Sequence, residues 1–282
     1  MEFIQNFGPF GVFFIMFALG LNLTFEKFIK VFKNPSNFIL GIICQIIILP
    51  IIGFTVIHFF HLVPEFQLGI FLLLIMPSAA MSNYATRLVD GNVSLSICLT
   101  STCALLSFLT IPFYLNFFSN FIYEYNFNLN LIAFSIKTFL FITLPVFIGI
   151  FLRNKFNNFF EKHTFTFDRA ALILFLTFVF IAIYKEKDNL LGYFDDIGVV
   201  MSLIVLFIFL ASFTITQIFS NDLSSKRAIR IETLLQNGAM GFVIGGIIFD
   251  DIEYLIPIAI YALLQYCFLL FYIGNININS KN

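Results

Sequence analysis

The segment Ile231-Glu232-Thr233-Leu234-Leu235-Gln236-Asn237-Gly238 places a carboxylate, two carboxamides and a glycine inside a stretch that is otherwise apolar. From Thr233 to Phe249 the chain carries no charge, so we expect Glu232 to lie at or within a membrane. A carboxylate there costs roughly 2.5–3.5 kcal/mol on insertion scales and requires a partner. Because Arg230 is expected at the water interface, the simplest partner is a hard cation such as Na⁺, surrounded by neutral oxygens.

A second stretch has a similar character. Pro77-Ser78-Ala79-Ala80-Met81-Ser82-Asn83 interrupts the apolar run 66–86. Proline removes a backbone donor and favours a kink or a break in a helix. Two interrupted membrane helices in matching positions of two halves indicate the binding site of a transporter.

The composition predicts an all-α polytopic membrane protein. The chain has 282 residues, of which 60% are hydrophobic and 11% charged, with a mean hydropathy of +0.98. Such values exclude a soluble globular domain. The net charge of −1 and the lack of a basic patch argue against nucleic acid as a partner. The N-terminus has no positively charged n-region, which is typical of mature sequence rather than of a signal peptide.

Hydropathy predicts nine membrane-spanning segments with the N-terminus outside and the C-terminus in the cytoplasm. With this orientation, twelve of the fifteen lysines and arginines fall in inside loops and two fall outside, as expected for the inner (plasma) membrane. If segment five opens the second half, interrupted segments three and eight hold equivalent places in an inverted repeat. The segments are 8–23, 37–60, 66–86, 92–119, 130–152, 167–184, 197–219, 228–249 and 253–274.

Three other features are better explained without a catalytic or metal site. Asp195-Asp196 and Asp250-Asp251 resemble the pairs of metal-diphosphate enzymes, but both pairs are predicted to lie in solvated outside loops. His58, His61 and Glu65 could form a zinc cluster, although the polar end of segment two explains them equally. The four cysteines lie in apolar runs without metal-type spacing.

Two further polar positions leave alternatives open. Ser96 and Thr100 are four residues apart, so their hydroxyls share one face of a helix. Each hydroxyl could equally bond to a carbonyl of its own helix. Gln45 lies in the middle of an apolar segment, where it could bind an ion or simply join helices.

Taken together, these features resemble the bile acid:sodium symporter family. The resemblance runs from Phe17-Ala18-Leu19-Gly20-Leu21-Asn22-Leu23 to the last segment, and the order and spacing of its motifs agree throughout. The motifs are Asn34-Pro35, Gln45 with Pro50, Pro77 with Ser82-Asn83, Gly91-Asn92-Val93-Ser94-Leu95-Ser96, and Glu232 with Gln236-Asn237.

The resemblance implies a nine-helix transporter with a panel domain (about 1–34 and 130–184) and a core domain (about 37–119 and 197–274). It also implies two sodium sites that share Glu232, with substrate near Asn237, Ser78 and Ala80. One sodium site would use Ser82, Asn83, Ser96, Thr100 and Glu232, and the other Gln45, Glu232, Gln236 and the carbonyls of Thr233 and Leu235.

The expected activity is sodium-coupled symport of a small organic anion, without enzymatic activity and without an obligate protein partner. The family often has Gly-Gly-Thr where this chain has Ser78-Ala79-Ala80, and Ser-Gly-Leu where it has Gly238-Ala239-Met240. These departures place bile acid itself in doubt as the substrate. The alternatives are an arsenite-efflux or auxin-carrier-like exporter of similar fold and, more remotely, a membrane enzyme or sensor.

Overall fold

The fold is all-α, as the composition predicted. The computed structural model describes residues 2–32, 35–60, 62–119, 131–185, 190–249 and 251–279. The helices are α1 (Glu2–Gly20), α2 (Phe25–Phe32), α3 (Pro35–Ile43), α4 (Leu49–Phe59), α5 (Pro64–Leu74), α6 (Met81–Leu88), α7 (Val93–Ser119), α8 (Leu131–Thr138), α9 (Leu144–Lys155), α10 (Asn157–Lys185), α11 (Leu190–Phe219), α12 (Leu223–Leu234), α13 (Gly238–Ile248) and α14 (Ile256–Asn279).

Within the residues that the structure describes, five helical stretches are long and apolar enough to cross a membrane. They are 24 to 28 residues long, with mean hydropathy between 1.8 and 2.6. Large apolar side chains also cover outward faces, with Phe10 72%, Ile132 75% and Leu270 70% exposed. Such a surface suits contact with lipid rather than water. The five stretches are Pro35–Phe59, Val93–Phe118, Ile132–Lys155, Gly192–Phe219 and Ile252–Ile276, and shorter apolar helices are Asn6–Gly20, Pro64–Leu74 and Gly238–Ile248.

The helix that carries Gln45 contains a widened turn. A π-helical turn, Cys44–Ile48, joins α3 to α4, and Pro50 follows it. Because proline has no N–H, the carbonyl of Ile46 loses its helical donor. The Tyr114 hydroxyl of α7 donates to that carbonyl instead. Gln45 therefore lies in a locally widened turn, a feature frequent at functional sites.

Helix α1 packs tightly against α9 and also contacts α10 and α13. Gly20 and Gly149 allow the close approach, since a Cβ atom on Gly20 would collide with the carbonyl of Val146 and one on Gly149 with that of Phe17. Small residues at such contacts are typical of helix pairs in membranes.

The structure corrects three details of the sequence analysis. Arg230, expected at the water interface, is 5% exposed; it donates to Thr216 Oγ1 at 2.8 Å and stacks on Phe213. Asp195-Asp196 lies within α11 rather than in a loop. Helix α2 was not predicted, because its eight residues are amphipathic rather than uniformly apolar.

Candidate functional site

The two predicted interruptions meet in the interior of the protein. Helix α5 ends at Leu74 and α6 begins at Met81, while α12 ends at Leu234 and α13 begins at Gly238. The intervening segments pair through an antiparallel bridge between Ser78 and Gln236. The broken helices predicted in segments three and eight are therefore joined at their breaks.

Backbone hydrogen bonds hold the two breaks together. The Ala79 N–H donates to the Leu235 carbonyl at 2.9 Å, and the Asn237 N–H donates to the Pro77 carbonyl at 3.0 Å. A buried backbone group without a hydrogen-bond partner is costly, and each break supplies such partners to backbone groups of the other.

Helix α14 satisfies two further backbone groups of the second break. Gln265 Oε1 accepts from the Gln236 N–H at 2.9 Å, and the Tyr261 hydroxyl donates to the Leu234 carbonyl at 2.8 Å. Sequence reasoning did not single out these residues, although a glutamine within an apolar segment is a usable signal. Together they fix the end of α12 and thereby the position of Glu232.

Glu232 lies at the centre of a buried cluster of hydroxyl groups. Its side chain is inaccessible to solvent, and the Thr100 hydroxyl lies 2.7 Å from Oε2. Ser78 also donates to Oε2, whereas Ser82 and Ser96 donate to Oε1. The cluster thus brings together residues of α6, α7, α12 and the first break around one carboxylate.

The hydroxyls have alternative acceptors close by. Thr100 Oγ1 is 3.0 Å from the carbonyl of Ser96, and Ser96 Oγ is 2.9 Å from Asn83 Oδ1. A hydroxyl has one hydrogen but two lone pairs. If the hydrogen points to one of these acceptors, the oxygen can donate electron density to a cation. Asn83 joins the cluster through this contact with Ser96.

Among the residues predicted for the second ion, Gln45 contacts Glu232 directly and Gln236 lies at the second break. Gln45 Nε2 is 3.4 Å from Glu232 Oε2, and Gln236 Nε2 donates to the Thr233 carbonyl at 2.7 Å. Both side chains are buried, and each leaves its Oε1 atom without a hydrogen-bond partner. The Leu235 carbonyl accepts from Ala79 and retains a second lone pair.

The chemistry of these donors suits sodium. All the candidate ligand atoms are carboxylate, hydroxyl, amide or backbone oxygens, which hard cations prefer. Two buried carboxamide oxygens without partners are unusual and call for an explanation such as an ion. Na⁺ near Gln45 and Gln236 would satisfy both oxygens.

A cavity lies beside the crossing, between α1, α6, α10 and α13. Its empty space, counted together with the solvent at its open side, is about 550 Å³, and its lining includes Ala80 and Asn237, both predicted at the substrate. Asn237 Oδ1 caps α13 by accepting from the Met240 N–H at 3.1 Å. Ser78, also predicted at the substrate, is instead buried with its hydroxyl on Glu232.

The same cavity contains polar residues that sequence reasoning missed. Asp168 of α10 lines it together with Tyr84 of α6, whose hydroxyl lies 2.5 Å from Asp168 Oδ2. Asn22 Nδ2 donates to Asp168 Oδ1 at 2.9 Å. The available signal was an acidic residue inside predicted segment six, because such residues in membrane segments mark functional sites.

The other candidate clusters from the sequence do not form a metal site among the described residues. The described residues contain no group of three or more metal-binding His, Cys, Asp or Glu side chains, and His61 and Asp250 lie outside them. The exposed ring of His58 packs edge-on against Phe59. The four cysteines are free thiols. Cys103 lines a second, smaller cavity with Gln45 and Pro77.

Comparison with known proteins agrees with the resemblance seen in the sequence. A model of the sodium bile acid symporter family matches residues 9–193. The probable chloroplastic sodium/metabolite cotransporter BASS2 of rice (Oryza sativa subsp. japonica) is 24% identical over 83% of this chain and 55% of its own length. The uncharacterized sodium-dependent transporter YocS of Bacillus subtilis is 25% identical over 88% of this chain and 76% of its own.

A rabbit (Oryctolagus cuniculus) protein, the ileal sodium/bile acid cotransporter, is 26% identical over 50% of this chain and 41% of its own length. The chain therefore spans about two fifths to three quarters of the length of these relatives. The relatives are described as sodium-dependent transporters, not as enzymes.

Proposed function

The chain belongs to the sodium bile acid symporter family, and from this premise we propose that it carries a small organic anion into the cell together with Na⁺. The observation that supports this most directly is the buried Glu232 carboxylate within a cluster of neutral oxygens at the crossing of two broken helices. Transporters built from inverted repeats bind substrate and coupling ions at such crossings. Alternating access then moves the site between the two sides of the membrane.

Two sodium sites share Glu232 in this proposal. The first takes its ligands from hydroxyl and carboxamide groups of α6 and α7. The second uses the widened turn at Gln45 and the second break, where the two unpartnered carboxamide oxygens lie. The first set is Ser82, Asn83, Ser96, Thr100 and Glu232, and the second is Gln45, Glu232, Gln236 and the carbonyls of Thr233 and Leu235.

Charge balance explains why both sites depend on one residue. An ionised carboxylate buried away from water is strongly disfavoured unless it is paired or coordinates a metal. Hydrogen bonds from hydroxyls lower this cost without cancelling the charge. Bound Na⁺ supplies the missing positive charge, and Glu232 in turn offsets the dehydration of the ion.

The cavity beside the crossing is the proposed substrate site. Asn237 at the start of α13 and Ala80 just before α6 both line it, together with Gln236, one of the proposed sodium ligands. Ser78 supports the site indirectly, since its backbone pairs with Gln236 and its hydroxyl holds Glu232. Ala80 offers a methyl group where relatives with Gly-Gly-Thr offer a hydroxyl, so we propose a substrate other than bile acid.

The cavity also lies between the two proposed domains. Helices α1 and α10 belong to the proposed panel (about 1–34 and 130–184), and α6 and α13 to the proposed core (about 37–119 and 197–274). Movement of one domain against the other would open the cavity to either side.

We place the protein in the plasma membrane with nine crossings, N-terminus outside and C-terminus in the cytoplasm, on the basis of its lysine and arginine distribution.

Uptake into proteoliposomes tests the proposal. Uptake of a radiolabelled organic acid mixture should require an inward Na⁺ gradient and should not be supported by K⁺. Thr100→Val removes one hydroxyl beside Glu232. The sodium concentration for half-maximal uptake should rise about tenfold. Thr177→Val is the matched control, because the Thr177 hydroxyl is exposed on α10 and bonds only to Ile173. Uptake that is indifferent to Na⁺ would reject the proposal.

A further inference from the structure

We infer that Asp168 recognises a positively charged group of the substrate, so that this transporter favours zwitterionic amino acids over simple organic anions. The inference rests on the sodium-coupled transport proposed above and replaces the simple organic anion with a zwitterion that also carries a carboxylate. Its basis is a carboxylate in the cavity between α1, α6, α10 and α13.

Two neutral donors orient the carboxylate of Asp168. The Tyr84 hydroxyl lies 2.5 Å from Oδ2, and Asn22 Nδ2 lies 2.9 Å from Oδ1. These groups come from α6 and from the end of α1, so the carboxylate is fixed from two sides. Hydrogen bonds from neutral donors stabilise the ionised form but leave its negative charge in place.

Two guanidinium groups, those of Arg87 and Arg169, lie within electrostatic range of Tyr84 but outside the cavity lining. Among the residues that the structure describes around the cavity, none is a lysine or an arginine. The other polar side chains are uncharged and belong to Tyr84, Gln236, Asn237 and Tyr266. A ligand that carries only a carboxylate would therefore meet electrostatic repulsion near Asp168, whereas an ammonium group would be attracted.

The part of the lining formed by the start of α13 favours a negatively charged group of the ligand. Asn237 Oδ1 is occupied by the Met240 N–H, so the NH₂ end of its side chain is the end that can donate to a ligand. Helix α13 begins at the next residue, Gly238, and the N-terminus of a helix favours negative charge. The rest of the lining is largely apolar and includes Ile15, Ala171 and Phe175. A ligand with a carboxylate, an ammonium group and an apolar side chain matches all three surfaces.

Asp168 could instead serve only as a structural link. Its hydrogen bond with Tyr84 joins α10 to α6, and any change that breaks this link could disturb the cavity. Tyr84→Phe removes the hydrogen bond and keeps the carboxylate, whereas Asp168→Asn removes the charge and keeps an acceptor. The two variants therefore separate recognition of charge from mechanical support.

The experiment is a thermal-shift titration of the purified full chain in saturating Na⁺. The probes are leucine, 2-hydroxyisocaproate and 2-oxoisocaproate, which share a carbon skeleton and a carboxylate but differ in the substituent next to it. For the wild type we expect the half-saturating concentration of leucine to be at least about tenfold below that of the oxo acid. Asp168→Asn should abolish or reverse this preference, and Tyr84→Phe should retain it.

Glu161→Gln is the charge control, since Glu161 lies on the exposed surface of α10, 3.9 Å from Arg153, and outside the cavity. This variant should behave as the wild type. The inference is overturned if the wild type favours the oxo acid or responds to none of the probes, or if Asp168→Asn keeps the preference. It is equally overturned if Tyr84→Phe loses the preference as fully as Asp168→Asn. Failure of the sodium proposal would appear separately, as equal stabilisation of the wild type and Glu232→Gln by Na⁺ alone.

Discussion

The backbones of Ser78 and Gln236 form an antiparallel bridge that joins the breaks of two different helices. The Gln236 N–H donates to the side chain of Gln265 on α14. Gln236 therefore connects three parts of the chain, and its own side chain adds a contact with the Thr233 carbonyl. The position of the crossing therefore depends on Gln265, which has no proposed contact with either ion.

Replacement of Gln265 should therefore destabilise the crossing. Gln265→Ala leaves the buried Gln236 N–H without its acceptor, which costs about 1–3 kcal/mol. We expect a lower melting temperature in detergent, accompanied by weaker stabilisation by Na⁺. The control is Gln217→Ala, because Gln217 is exposed and accepts only from Lys226 at 2.7 Å. Equal melting temperatures for the two variants would contradict this role.

The sequence singled out the polar residues around Glu232 but not the residues of α14 that hold the second break in place. Glu232, Ser96 and the two breaks stand out because polar or helix-breaking residues within apolar segments are costly and so carry information. The structure confirms that these residues lie together, although their roles as sodium ligands remain predictions.

Other features depend on tertiary packing and could not be predicted from the local sequence pattern. Arg230 is preceded by the polar stretch Ser224-Ser225-Lys226-Arg227, and only the position of α11 shows that it is buried. The contact between Asp168 and Tyr84 joins residues far apart in the chain, which no local pattern reveals. Helix α2 was missed because hydropathy detects uniformly apolar segments rather than amphipathic ones.

Loss of a carboxamide oxygen should weaken the second sodium site. Gln45→Ala and Gln236→Ala each remove a buried Oε1 atom that has no protein partner. Because interactions with a charged group contribute about 1.5–3 kcal/mol, the sodium concentration for half-maximal transport should rise about tenfold or more. Gln67→Ala is the control, since Gln67 of α5 donates to the carbonyl of Leu62, just before that helix. If both variants keep the wild-type sodium dependence, these glutamines only join helices.

Asp222 should make one pH-dependent contribution to stability outside the membrane segments. Hydrogen bonds from the side chain of Ser225 and from neighbouring groups at the start of α12 lower the pKa of its carboxyl. A lowered pKa stabilises the folded state above the unfolded value near 3.9, and that contribution is lost as pH falls through the folded pKa. Asp222→Ala should cost about 0.5–2 kcal/mol at neutral pH, through loss of the helix cap.

The measurement for Asp222 is the difference in unfolding free energy between wild type and Asp222→Ala as a function of pH. The difference should be constant near neutrality and shrink below about pH 4 as the carboxyl becomes protonated. A difference that grows as the pH falls would contradict the assignment.

Transport should be electrogenic, and it should fail when Glu232 loses its charge. Two Na⁺ with one monovalent anion move a net charge of +1 inward, and two Na⁺ with a zwitterion move +2. A potential of 100 mV, negative inside, contributes about 2.3 kcal/mol per charge. Each tenfold sodium gradient adds about 1.4 kcal/mol per ion. For the anion these sum to about 5 kcal/mol, enough to concentrate the substrate more than about a thousandfold.

The test is uptake into vesicles at clamped potassium-diffusion potentials, with the wild type beside Glu232→Gln. The variant keeps the shape of the side chain but removes the charge that offsets two dehydrated cations, so both sodium sites should weaken together. Glu161→Gln removes an exposed carboxylate and should leave both voltage and sodium dependence unchanged. One Na⁺ with one monovalent anion moves no net charge, so the membrane potential then has no effect on uptake. If wild-type uptake of a monovalent anion does not change with the potential, the two-sodium scheme is rejected. Normal sodium affinity in Glu232→Gln would remove that residue from both sites.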